Sequence, residues 1–166
     1  MARPEPWLRG PIKGLHPLPS HLLYTFKQAR EELRQSCEGI SDKDIWWSPH
    51  EGIAPVGFHL RHISGSVDRL TTYLRGEQLN AAQLAAFRQE QKPGAGLSEL
   101  MESMEVEFRR TEAVVRALAP PAFDEPRVVG RKKLPTTVAG LIVHISEHTQ
   151  RHLGQAVLTA GLVLGY

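Results

Sequence analysis

The chain has 166 residues, 41% of them apolar and 23% charged, a composition ordinary for one globular domain with a real buried core. Its 20 basic and 18 acidic residues are interspersed and leave a net charge of +2, with no basic stripe able to neutralise a run of phosphates, so nucleic acid is not an expected partner. No apolar run approaches the roughly 20 residues of a membrane-spanning helix, and residues 1–14 hold no continuous apolar segment of the signal-peptide kind. A membrane partner is therefore not expected either. The single cysteine, Cys37, cannot close an internal disulfide, which suits a reducing, cytoplasmic setting.

Residues 1–19 carry Pro4, Pro6, Pro11, Pro17 and Pro19 and are expected to form an irregular lead-in to a domain over residues 20–166. Ser20 reads as the N-cap of a first long helix ending near Cys37, with Leu22, Phe26, Ala29 and Leu33 on its buried face. Ser41 caps a short turn through Trp47. A second long helix is expected from Pro55 to Arg75, where Val56, Leu60, Ile63, Val67, Leu70 and Leu74 keep helical spacing. Asn80 opens a shorter helix towards Gln91. A third long helix spans residues 98–118 and stops at Pro120-Pro121. Residues 122–135 show turn residues and no alternating pattern, so no strand is expected, and Arg131, Lys132 and Lys133 read as a solvated loop. Thr136 or Thr137 starts the last helix, which reaches Thr159 or beyond. Four long amphipathic helices and one short helix define an all-α four-helix bundle.

The last helix reads His144-Ile-Ser-Glu-His148-Thr-Gln-Arg-His152-Leu-Gly-Gln155. Residues four apart stack on one helical face, and two imidazoles so placed can aim at a common point about 2.0–2.1 Å away, as zinc requires. His148 and His152 fall beside Leu141 and Thr159 on the inward stripe. The second long helix offers His59 and His62; helical phase puts His59 nearer the apolar face and His62 at its border. A third ligand from this helix would complete a three-histidine site with open positions, the arrangement of catalytic metals.

The segment Pro55-Val-Gly-Phe-His-Leu-Arg-His62-Ile-Ser-Gly-Ser-Val-Asp-Arg-Leu resembles the second-helix motif of the DinB-like superfamily. The His144–Gln155 segment is similar to that family's last-helix motif, and the Trp46-Trp47-Ser-Pro stretch fits as well. The resemblance covers roughly residues 20–160. It implies a four-helix bundle with one divalent metal held by three histidines, at positions His62, His148 and His152 here. His59 and His144 are additional histidines, one turn from those ligands. Relatives include a mycothiol-dependent isomerase and thiol S-transferases, so the resemblance implies a small-molecule substrate of the low-molecular-weight thiol class.

Other residues read more plainly. Glu147 is expected on the solvated face and Arg151 towards a helix partner or solvent, and Asp68 and Arg69 in structural pairs, with pairing to a substrate as the alternative. Gln155 is expected to continue the histidine stripe, orienting a ligand or bonding in the core. Cys37 is expected to act as a small buried hydrophobe, with nothing cationic beside it in sequence. Ser64 and Ser66 lack a nucleophile-elbow setting, so a serine hydrolase is not expected. The apolar, glycine-broken end, residues 153–166, is expected to pack on the bundle or to make a homodimer contact. Together these readings point to a zinc- or nickel-dependent thiol S-transferase or hydrolase, against the alternative of a non-catalytic metal- or ligand-binding bundle.

Overall fold

The computed structural model of the protein describes residues 3–166; residues 1 and 2 of the expected lead-in lie outside it. Five helices follow one another: α1 (Pro17–Ser36), α2 (Val56–Leu74), α3 (Ala81–Phe87), α4 (Leu97–Arg116) and α5 (Val138–Leu164). Two short strands, β1 (Pro126–Val129) and β2 (Leu134–Thr137), lie between α4 and α5.

The first helix starts three residues before Ser20. Its cap is His16, whose Nδ1 accepts from the Leu18 amide at 3.2 Å. Pro17 and Pro19 do not delay it, because amides in a first helical turn have no intrahelical acceptor to lose. The lead-in is held rather than loose. Arg9 makes a fork of two 2.6 Å bonds to Glu31, and the Tyr24 hydroxyl donates to the Gly10 carbonyl at 2.8 Å. The other expected caps are present: Ser41 accepts from Asp44, Asn80 forms a capping box with Gln83, and Thr137 accepts from Gly140.

The absence of strands expected for residues 122–135 is corrected by an antiparallel hairpin, paired from Pro126↔Thr137 to Val129↔Leu134. Val128 and Val129 suit extended backbone, and Gly130 (φ 71°) with Lys133 (φ 49°) closes the turn. In a two-stranded ribbon both strands are edges, so Pro126 and Pro135 cost little there. Arg131, Lys132 and Lys133 form the exposed hairpin tip, as the loop reading anticipated.

Around the bundle, α5 packs on both α1 and α2, and α2 also packs on α4. The two helices first in sequence therefore occupy opposite corners, and α5 runs between them. Leu22, Phe26, Leu60, Ile63, Phe108, Ile142 and Ile145 are buried at the centre. Phe26 stacks on Phe108 with ring centroids 4.0 Å apart. Arg30 lies over the same Phe108 and joins Glu105 at 2.5 Å and Glu112 at 2.8 Å, tying α1 to α4. Among the described residues, no helix is long and apolar enough to cross a membrane.

Candidate metal centre

The α2–α5 seam is antiparallel, with His59 beside His152 and Ser66 beside His148. Apolar residues of both helices fill it elsewhere. At one level they are replaced by imidazoles. His62, His148 and His152 each present a ligand atom there, and all three atoms lie within 4.8 Å of one another. The rings are tilted about one another, with centroids at 4.4 Å for His62–His152, 4.7 Å for His148–His152 and 5.0 Å for His62–His148.

Each ring is steadied through Nδ1. His62 Nδ1 donates to Glu90 Oε2 at 2.7 Å, and the other oxygen of Glu90 accepts from Arg69 Nη1 at 2.6 Å. His148 Nδ1 pairs with Ser66 Oγ at 3.0 Å, and His152 Nδ1 pairs with His59 Nδ1 at 3.1 Å. Phe58 stacks on His62 and meets His152 edge-on. With every Nδ1 engaged, Nε2 is the nitrogen left free on each of the three rings. Partners of this kind fix ring orientation and raise ligand basicity in histidine metal sites.

Burial keeps His148, His152 and His59 neutral. Burial, then the neighbouring His62, pushes His148 down to about 4 and His152 down to about 3. His59 is likewise pushed down to about 4, by burial first, while the Ala54 carbonyl acts in the opposite direction. Near neutral pH these imidazoles hold lone pairs rather than protons, which is the form a metal binds. The donor set fits a divalent metal ion: three imidazoles, no thiolate, and a carboxylate one hydrogen bond further out.

His59 is buried (4% exposed) and supports His152 from behind, in line with its position on the apolar face. His144 stays outside the cluster, exposed, 5.6 Å from the His148 ring centroid. Glu147 and Arg151 pair with each other on the solvated face. Asp68 accepts from Gln83 at 2.8 Å, and Arg69 pairs with Glu90, so both are structural pairs. Ser66 is a partner of His148. Cys37 is buried. Gln155 is corrected: it is exposed and has no side-chain hydrogen bond among the described residues. It falls one turn beyond His152, level with the start of α2. The apolar end of α5 packs in part, burying Leu153, Ala156 and Ala160 while leaving Leu158 and Leu162 exposed.

Glu90 is the residue sequence reading missed. It is 4% exposed and follows the short α3, far in sequence from His62. Gly65 makes room for it: a Cβ there would lie 2.5 Å from Glu90 Oε1 and 2.8 Å from Arg69 Nη1.

A four-helix bundle with three histidines gathered at the α2–α5 seam defines the class of this protein. The family model of the DinB superfamily matches residues 25–156, and the chain belongs to that superfamily. No curated protein matches its sequence significantly. Solved structures do match its fold. A conserved protein of Enterococcus faecalis superposes with a TM-score of 0.73 at 16% identity, covering 87% of this chain and 96% of its own. YfiT from Bacillus subtilis, described as a probable metal-dependent hydrolase with an unusual four-helix bundle topology, gives 0.67 at 14% identity, with 95% and 94% covered. The DinB-like protein YjoA from Bacillus subtilis gives 0.63 at 18% identity, with 91% and 94% covered.

Proposed function

We propose that this protein is a metal-dependent enzyme acting on a small molecule, with a zinc or nickel ion held by His62, His148 and His152. The observation that carries the proposal is the convergence of three imidazoles whose Nδ1 atoms are all engaged on their outer sides. A description as a probable metal-dependent hydrolase attaches to YfiT, whose fold this chain shares.

The ion, when bound, supplies Lewis acidity to a water or a thiol in an open coordination position. The chain's own residues do the rest. His62 keeps its proton on Nδ1 because Glu90 accepts it, leaving Nε2 as the ligand atom. With Nε2 of each ring turned to the ion, His152 would donate its Nδ1 proton to His59 and His148 would donate to Ser66, so that the three rings share one tautomer. Phe58 covers the His62 and His152 rings and limits access of water from that side. No carboxylate enters the ligand set, so the site keeps a double positive charge and favours an anionic ligand such as a thiolate. Both hydrolysis and transfer of a thiol sulfur to an electrophile suit this arrangement.

Elemental mass spectrometry of the purified, tag-free protein tests the metal assignment. Near-stoichiometric zinc or nickel is expected in the wild type and its loss in His62→Ala and His148→Ala. Wild-type protein without metal after reconstitution sinks the proposal. A screen of esters, amides and thiol–electrophile pairs on the loaded enzyme then separates a hydrolase from a thiol transferase, and complete inactivity identifies a binding protein.

A further inference from the structure

A cavity of about 280 Å³ opens beside the cluster, lined by His62, His144 and His148 but not by His152. It follows α2 for three turns, from His62 past Ser66, Arg69 and Leu70 to Tyr73, a span of about 16 Å along the helix axis. The two ends differ in chemistry. At the histidine end, Arg69 uses Nη1 on Glu90 and leaves its other guanidinium donors unpartnered among the described residues. Beyond it the walls are apolar, formed by Leu70 and by Leu79 and Leu84 from the segment around α3, while Phe87 lies against the Arg69 guanidinium, its ring centroid 4.6 Å away. This volume sits just below the common ligand-pocket range of about 300–1,000 Å³, so its occupant is small.

We propose that this cavity binds a small, unbranched monocarboxylate, its head at the His62–His148–Arg69 end and its aliphatic body along Leu70, Leu79 and Leu84. A planar carboxylate matches the fork geometry of the guanidinium and is also a ligand for a histidine-bound metal. The proposal rests on the metal reading for its head group and on the cavity walls alone for its body.

Calorimetric titration of acetate, butyrate, hexanoate and octanoate into zinc-loaded and chelated protein tests both parts. Affinity should rise about fourfold per added methylene, the equivalent of about 0.8 kcal/mol for each buried CH₂. Zinc should tighten every member of the series by a similar factor. Leu84→Asn should flatten the chain-length dependence, and so should Leu79→Thr, both on the apolar wall. A flat series in the wild type overturns the proposal, and so does a rise that survives both substitutions. A rise in wild type that both variants lose, in protein that takes up no zinc, upholds the cavity and refutes the metal reading.

Discussion

His62 and Glu90 form the contact on which the geometry of the cluster depends: Nδ1 of the imidazole donates to Oε2 of the carboxylate at 2.7 Å. The carboxylate is 4% exposed, and burying such a charge costs several kcal/mol unless it is paired. Arg69 provides the charge and His62 the second hydrogen bond. Glu90→Gln should therefore lower metal affinity by about 10- to 100-fold while the helices remain folded. Competition against a chromogenic chelator reads this directly. Unchanged affinity would mean that stacking on Phe58 alone orients His62.

Gly65→Ala tests the same contact from the other side. The added methyl would meet Glu90 Oε1 at 2.5 Å and Arg69 Nη1 at 2.8 Å, both at the ends of flexible side chains. Those ends can yield, and alanine is better than glycine within a helix by about 0.8–1.0 kcal/mol. The expected outcome is a protein that melts within a few degrees of wild type but binds zinc more weakly. Full zinc affinity would show that Glu90 can move without disturbing His62.

Gly57 sits on the same helix under a harsher constraint. A Cβ there would lie 2.8 Å from the indole of Trp46, a rigid ring whose Nε1 donates to the Ala95 carbonyl at 2.8 Å and over which Arg61 lies. Gly57→Ala should destabilise the fold by about 1–3 kcal/mol, as overpacking does, despite the gain in helix propensity. Chemical denaturation measures it, and a stabilised variant would contradict the packing described.

His59 and His62 are distinguishable by experiment because they play different parts. His62→Ala should abolish metal binding. His59→Ala removes only the partner of His152 Nδ1 and should weaken binding by about 10- to 100-fold with stoichiometry retained. The reverse ranking would move the ligand set one turn along α2.

Much of this was legible from sequence because the signals were periodic. The heptad-like runs of α2 and α4 located their helices, and histidines four apart on an inward stripe located half of the cluster. Assigning His62 over His59 needed the family resemblance, since phase alone puts His59 deeper. The structure shows both facts to be compatible, with His59 behind His152 and His62 in the cluster. What escaped was set by tertiary packing. Glu90 stands in a polar stretch after a seven-residue helix, and nothing local distinguishes it from a solvated carboxylate. The hairpin escaped because its four-residue strands contain Pro126 and Pro135. Ser20 reads as a cap because Pro17 and Pro19 read as breakers, whereas prolines in a first helical turn are permissive.

Cys37 gives a prediction far from the cluster, at the C-terminal end of α1. The residue is 2% exposed, and burial pushes its thiol up to about 11. Alkylation proceeds through the thiolate, and the rise from 9.0 to about 11 means that native Cys37 near neutral pH should react roughly 100-fold more slowly than a free thiol. Denaturant should restore the ordinary rate. The linkage has a definite sign: a folded-state value above the unfolded one stabilises the fold below about pH 9.0, and that contribution is lost as pH rises towards 11. Cys37→Ala should lack this part of the alkaline decline in melting temperature, although it loses some packing at every pH. Rapid labelling of the native protein at pH 7 would instead place the thiol in solvent, within reach of substrates and oxidants.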